Sequence, residues 1–448
     1  MAERLVVIGG DAAGMAAAAE ARRRKPYLEI VALERTGWVS YSACGIPYLV
    51  GGEVAGVDDL VARTAQEHRE QRIDVRLHHE VKAIDLAARV LEVRDGQRRR
   101  TFQLDFDQLH IATGARPTRP DLPGISGESV KGVQTLDDAT ALLDHARTSR
   151  CRTVVVVGGG YIGLEMCEAF VRWGAEVTLV EGADQLMGTL DPDMAARLRD
   201  PIRGLGVDVR LGAQVAAFEP GRVLMADGAS LPADLVVLGL GVTPNSELAA
   251  AAGVATGARG AIAVDRRQRT DADGVFAAGD CCTSPHLVSG RQVHIALGTV
   301  ANKQGRVAGT NLGGGYATFP GVVGSAITKV CSLEVARTGL NEREATAAGF
   351  EWSAATIETT TRAGYLPDAE PMTVKLLGER GTRRLLGGQI IGGNAAGKRI
   401  DTLAVALHAR MRVDDIIDLD LAYAPPFSSV WDPVAVAARA LSRQLEEP

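Results

Sequence analysis

Short apolar runs that break at glycine, each followed by an alanine-rich or amphipathic stretch, set the rhythm of the chain. Leu5-Val6-Val7-Ile8 runs into Gly9-Gly10-Asp11-Ala12-Ala13-Gly14 and the alanine-rich stretch Met15 to Arg24, and a second run, Glu29-Ile30-Val31-Ala32-Leu33, closes at Glu34. This order predicts strand, tight turn, helix, strand. It returns at Val154-Val155-Val156-Val157, Gly158-Gly159-Gly160-Tyr161-Ile162-Gly163, a helix through Trp173, and Val177-Thr178-Leu179-Val180 closing at Glu181. Pro47, in Gly45-Ile46-Pro47-Tyr48-Leu49, suits the first turn of a further helix. Arg98-Arg99-Arg100 reads as a hairpin tip with no function.

The two repeats have the glycine spacing that brings a pyrophosphate to a helix N-terminus, with an acid placed for a ribose hydroxyl. Glu34 follows Gly9 by 25 residues and Glu181 follows Gly158 by 23. The second loop is complete. In the first the middle glycine is Asp11, whose side chain must point away from the phosphates. Two such units in series imply two dinucleotides. Glu181, with no Arg or Lys in Gly182-Ala183-Asp184-Gln185, suits a free 2′-hydroxyl, which favours NADH and leaves NADPH as a lesser option.

Length and composition narrow the class. At roughly 100 to 200 residues per domain, 448 residues imply about three compact units. The 46% hydrophobic and 23% charged content is that of a globular chain with a large core, not of a disordered one. A net charge of -6 and 4% aromatics argue against nucleic acid as a partner. No apolar run reaches the roughly 18 residues of a membrane-spanning helix, and Leu5 to Ile8 is too short for a signal-peptide core, so the expected location is the cytoplasm. The six cysteines, Cys44, Cys151, Cys167, Cys281, Cys282 and Cys331, form no C-x-x-C and no His/Cys cluster at metal spacing, so no metal site is expected and the default for each is a packed free thiol.

Thr270-Asp271-Ala272-Asp273-Gly274-Val275-Phe276-Ala277-Ala278-Gly279-Asp280 is a short strand ending in an aspartate after a glycine turn. Here the chain resembles the two-dinucleotide flavoprotein disulfide reductases, whose second FAD motif has this form. Leu109 to Gly114 and Val236 to Asn245 resemble the family's crossings between domains. The resemblance covers essentially the whole chain and implies an α/β fold with two Rossmann-like domains and an α+β C-terminal domain. The FAD domain would comprise residues 1–115 and 252–322, the inserted NAD(P)H domain 116–251, and the dimerisation domain 323–448. For FAD it implies Gly9, Gly10, Ala12, Ala13, Gly14, Glu34, Arg35, Ser42, Thr113, Gly114 and Asp280. For the nicotinamide dinucleotide it implies Gly158, Gly160, Tyr161, Ile162, Gly163, Glu181 and Gly241.

Cys44 lies just ahead of Pro47, at the start of the expected helix, where the dipole and free N–H groups favour the nucleophilic thiolate. The family's dithiol enzymes carry a second cysteine five positions on, where this chain has Leu49. No internal disulfide can form there, so Cys44 must cycle through a mixed disulfide, a sulfenic acid or a persulfide. The segment resembles the single-cysteine branch, which includes coenzyme A disulfide reductases, persulfide reductases, NADH oxidases and NADH peroxidases. The oxidases and peroxidases carry a histidine two places before the last glycine of the first loop. This chain has Ala12 there, as coenzyme A disulfide reductases do.

Tyr423-Ala424-Pro425-Pro426-Phe427 stands where the dithiol enzymes carry a His-Glu base. In coenzyme A disulfide reductases the tyrosine opening this motif, and another 58 residues earlier, reach the partner subunit's thiol. Tyr423 and Tyr365 have that separation, and a phenol can protonate a departing thiolate. Leu366 departs from the family's second tyrosine. The resemblance also implies a coenzyme A site from Arg22, Arg23, Ser40, Arg72, Asn302 and Arg306. The helix around Ala301 to Arg306 would point its N-terminus at the flavin. The resulting expectation is a homodimeric, NADH-dependent reductase of coenzyme A disulfide, persulfide or polysulfide, with active sites shared across the interface. An NADH oxidase or quinone reductase with the same FAD site is the first alternative. A flavin electron-transfer component or redox sensor serving a protein partner is the second.

Overall fold

The computed structural model describes residues 3–446. Two five-stranded parallel sheets repeat one plan. The first runs in the order Val275–Ala277, Gln108–Ile111, Arg4–Ile8, Glu29–Leu33, Asp74–Arg76. The second runs Asp208–Arg210, Glu176–Val180, Thr153–Val157, Leu235–Leu238, Val130–Gly132. Each central strand is buried on both faces, which is why Leu5 to Ile8 and Val154 to Val157 read as unbroken apolar runs.

The chain passes between the two sheets twice. Ala115–Pro117 going out and Val242–Pro244 coming back pair antiparallel, so one two-stranded ribbon carries both crossings. Asn245 seals the ribbon: its Nδ2 donates to Thr113 O at 2.9 Å, and its own carbonyl accepts from Thr113 Oγ1 at 2.5 Å. After the return, Val275–Ala277 adds to the edge of the first sheet, so that sheet is built from both sides of the inserted unit. The C-terminal unit is a five-stranded antiparallel sheet with helices at Ile400–His408 and Pro433–Glu446.

The helix Ala12–Arg24 begins three residues earlier than its alanine run suggests, because the last turn of the glycine loop is already helical. It lies against the helix Gly298–Leu312 at very short range. A Cβ on Gly305 would fall 2.3 Å from Ala13 O, and one on Gly309 2.3 Å from Ala17 O. Glycine in this helix costs intrinsic helix propensity and allows backbone-to-backbone contact in return. Among the described residues no helix is long and apolar enough to cross a membrane.

Candidate active site

A single cavity of about 2080 Å³ runs along the carboxyl ends of both parallel sheets, where α/β folds place their ligands. It is at least twice the usual size of a small-molecule pocket, which suits two dinucleotides end to end. The two glycine loops that face it are near copies. Gly9 and Gly158 both have φ +106°, closed to residues with a Cβ, and a Cβ there would strike Ala112 O at 2.1 Å and Gly239 O at 2.5 Å. On Gly14 and Gly163 a Cβ would fall 1.9 Å from Gly9 O and Gly158 O, so these glycines let each helix seat on its strand.

The acids at the strand ends are held alike. Glu34 accepts from Gly10 N and Thr36 N, both at 2.8 Å, and Glu181 accepts from Gly159 N at 2.7 Å and Ala183 N at 2.8 Å. Asp11 turns from the loop, as its place in the motif requires, and accepts from Tyr41 N at 3.1 Å. Burial pushes its carboxyl up to about 6, with Glu34 and Asp280 adding to the shift against the Tyr41 and Ala12 N–H groups. Burial alone raises Asp280 to about 6. It lies on the cavity wall after Gly279, at φ +86°. A buried acid aimed into a cavity of this size is a place for hydroxyl donors. With the glycine cradles, this wall fits FAD: Gly9 to Ala13 would hold its pyrophosphate, and Asp280 would accept from its hydroxyls.

Most of the expected dinucleotide residues meet on this wall. Gly9, Gly10, Ala12, Ala13, Glu34, Arg35, Ser42, Thr113 and Gly114 line it on the first-sheet side, and Gly160, Tyr161, Ile162 and Gly241 on the second. Gly14, Gly158, Gly163 and Glu181 lie behind it. Cys44 opens onto the same space from a 3-10 turn, Ala43–Gly45, that leads into the five-residue helix Ile46–Val50, with Pro47 in its first turn. Leu49 is buried, and Cys44 is a free, exposed thiol.

The expectation of a thiolate favoured by its helix end is corrected by the surroundings. The helix is a single short turn, while burial of the sulfur and then the carboxylates of Glu165, Asp280 and Asp11 push the Cys44 thiol up, against its own backbone N–H. The residue surface is exposed, yet the sulfur sits among pocket walls of like sign to a thiolate.

Glu165 was not marked by the sequence reading. It lies on the cavity wall, where burial raises its carboxyl although Thr328 Oγ1 donates to it at 2.6 Å. Its signal was present: Glu165 is four residues past Tyr161 on one helix, hence on one face. The other five cysteines are buried or half-buried free thiols.

The expected coenzyme A residues divide. Asn302 lines the cavity beside Lys303, its Nδ2 donating to Gly298 O at 2.9 Å. Arg306 is exposed outside that wall. Arg22 donates to Pro26 O at 2.8 Å and Arg72 O at 2.5 Å, while Arg23 pairs with Glu20. Burial, and then Arg72, holds the Arg22 guanidinium below its ordinary value, so two like charges share one surface there. Ser40, at φ 49°, has its hydroxyl 2.9 Å from Nε2 of the buried His68. Tyr365 and Tyr423 do not line the cavity of their own chain. They are exposed, and desolvation followed by the neighbouring Tyr365 raises the Tyr423 phenol.

Two dinucleotide cradles, a lone thiol between them and a separate antiparallel C-terminal sheet define a flavin-dependent nicotinamide oxidoreductase. The chain belongs to the pyridine nucleotide-disulphide oxidoreductases: that family's model matches residues 3–305, and the model of its dimerisation domain matches residues 325–435. An NAD(P)H sulfur oxidoreductase (CoA-dependent) of Pyrococcus abyssi is 39% identical over 98% of each chain. An NADH oxidase of Methanocaldococcus jannaschii is 32% identical over 99% of each. Among solved structures, the reduced CoADR-RHD of Bacillus anthracis superposes with a TM-score of 0.96 at 32% identity, covering 100% of this chain and 81% of that one. The protein is an FAD-dependent NAD(P)H oxidoreductase.

Proposed function

We propose that the protein uses NADH to reduce coenzyme A disulfide, or a coenzyme A persulfide or polysulfide, through Cys44 as its one redox thiol. The observation that carries this reading is the position of Cys44 on the cavity that both glycine loops line, with buried Leu49 where a second cysteine would be. A thiol so placed cannot store electrons as an internal disulfide, so its reduction of a sulfur substrate passes through a mixed disulfide or persulfide with an external partner. The CoA-dependent sulfur oxidoreductase relative points to coenzyme A as that partner.

Bound FAD supplies the two-electron link between the nicotinamide and sulfur. The Cys44 thiolate attacks one sulfur of the disulfide; an S–S bond to coenzyme A forms, and the original S–S bond breaks to release one coenzyme A thiolate. Two electrons then cleave the mixed disulfide, returning the Cys44 thiolate and releasing the second. One NADH and one proton give NAD⁺ and two thiols per disulfide. Raising the Cys44 thiol lowers the thiolate fraction and raises the intrinsic nucleophilicity of what remains, since nucleophilicity rises with pKa. Asn302 faces the incoming substrate from the cavity wall, and Arg22, Arg23, Arg72 and Arg306 supply the positive charge, and Ser40 the hydroxyl, for its phosphates.

The enzyme works as a homodimer in which Tyr365 and Tyr423 serve the thiol of the opposite subunit as proton donors. Their exposure together with Phe427 and Trp431 supports this, since such a face wants a cover. The test is Cys44→Ser: loss of disulfide turnover with reduction of the flavin by NADH retained is expected, and full disulfide activity would refute the role of Cys44. The oxidase reading draws support from the Methanocaldococcus relative, and Ala12 counts against it by leaving the loop without an imidazole. NADH consumption in air that persists in Cys44→Ser would favour a flavin-only oxidase.

A further inference from the structure

The second glycine loop is tied to the C-terminal domain by a short strap, residues 187–191, in addition to the contacts of its helix with Thr328 and Cys331. At its start Met187 N donates to Gly159 O at 2.8 Å, inside the nicotinamide loop. Two residues on, Thr189 forms part of the cavity wall, as Tyr161 does. From there the strap is gripped almost residue by residue from the C-terminal side. Arg343 Nη2 donates to Gly188 O at 3.1 Å; Arg337 Nη1 and Asn341 Nδ2 donate to Thr189 O at 2.7 and 3.1 Å. Asp191 N donates to Gln389 Oε1 at 2.9 Å, and Gln389 Nε2 returns a bond to Asp191 Oδ2 at 2.6 Å.

This junction is charged, and its centre is buried. Asp191, Gln389 and Lys375 are 2%, 3% and 5% exposed, and Lys375 Nζ lies 3.2 Å from Asp191, 2.7 Å from Asp193 and 2.8 Å from Glu342. A buried charge network with its hydrogen bonds made tolerates little displacement, because moving one member leaves the others unpaired. The strap is also held in an unfavourable backbone state: Met187 has φ 49° and is 1% exposed. A bulky residue stays left-handed only where its surroundings over-determine it.

We infer that the C-terminal domain sets the position of the NADH site through this strap, so that Gln389, Arg337, Asn341 and Arg343 are positioning residues for nicotinamide binding although none lines the cavity. The inference rests on the reading of the second glycine loop as the NADH site and is independent of the sulfur substrate. Releasing the strap lets Met187 relax and moves Gly159 and Thr189 together, which weakens dinucleotide binding and leaves FAD, on the first loop, in place.

The test is NAD⁺ titrated calorimetrically into the oxidised holoenzyme, with amide exchange at 187–191 followed in the same samples. Gln389→Leu should raise Kd for NAD⁺ on the order of tenfold, with faster strap exchange, unchanged FAD content and kcat at saturating NADH within about twofold. Arg343→Ala, at an exposed position, should give a smaller rise in the same direction and carries the test if Gln389→Leu does not fold. Faster exchange with an unchanged Kd, or an unchanged strap in Arg343→Ala, would overturn the inference. Unaltered holoenzyme that binds neither NAD⁺ nor NADH would instead overturn the assignment of the loop on which it rests.

Discussion

At Cys44 the local charges oppose ionisation, and the largest identifiable charged contributor is Glu165. Replacing it with Gln removes a negative neighbour, so the Cys44 thiol should titrate at lower pH; the pH dependence of iodoacetamide alkylation of reduced enzyme measures this, and an unmoved profile would show that the carboxylate does not act on the sulfur. A second titration is set by His110, fully buried with its ring held down to about 4 by desolvation, against a lone raising contact from the Ala13 backbone. Its folded pKa lies below the unfolded value of about 6.5, so the unfolded chain takes up more protons between the two. The stability tied to neutral His110 is therefore whole above about pH 6.5 and lost as pH falls towards 4, by roughly 3 kcal/mol. Denaturant unfolding of wild type and His110→Leu across that window should show a steeper acid loss in wild type; parallel curves would place the acid sensitivity elsewhere.

Glycine geometry decides what the helices and turns can do. The Gly305 site has no room for a methyl group, so Gly305→Ala must push Ala13, and with it the first dinucleotide loop. Overpacking of this kind costs about 1–3 kcal/mol, and the purified variant should lose FAD more readily than wild type, as read from the flavin-to-protein absorbance ratio. On the second unit, Glu181→Ala removes the acceptor shared by Gly159 and Ala183. It should weaken NADH binding more than flavin retention, and an unchanged NADH affinity would refute its assignment to the ribose. These elements were legible in the chain because their causes are local. Apolar runs mark strands buried on both faces, and glycines mark positive φ or close approach, so Gly9 and Gly158 could be recognised before the fold was known. Glu165 was half legible, through its spacing from Tyr161, but its partner Thr328 lies 163 residues away. The thiol shift at Cys44 was not legible, since its first cause is burial by the folded chain and the carboxylates that add to it come from three separate stretches.

Across the whole molecule, the domains share sites instead of merely adjoining. The first and second sheets face one cavity, their connection is a sealed two-stranded ribbon, and the C-terminal sheet reaches the second glycine loop through buried polar contacts. None of the residues in that last junction stands out in the sequence, because Lys375, Gln389 and Asp191 are ordinary residues until the fold brings them together. Tyr365 and Tyr423 lie in the C-terminal half and do not line the cavity that holds their own chain's thiol; the proposed role for them at the opposite subunit's thiol requires two copies. The most direct measurement of the central claim is thiol release by the wild-type enzyme without oxygen, given NADH and coenzyme A disulfide, with glutathione disulfide as the comparison. The expected result is two free thiols for each NADH consumed with coenzyme A disulfide and little consumption with glutathione disulfide. NADH consumption in air with no thiol released from either disulfide would contradict it.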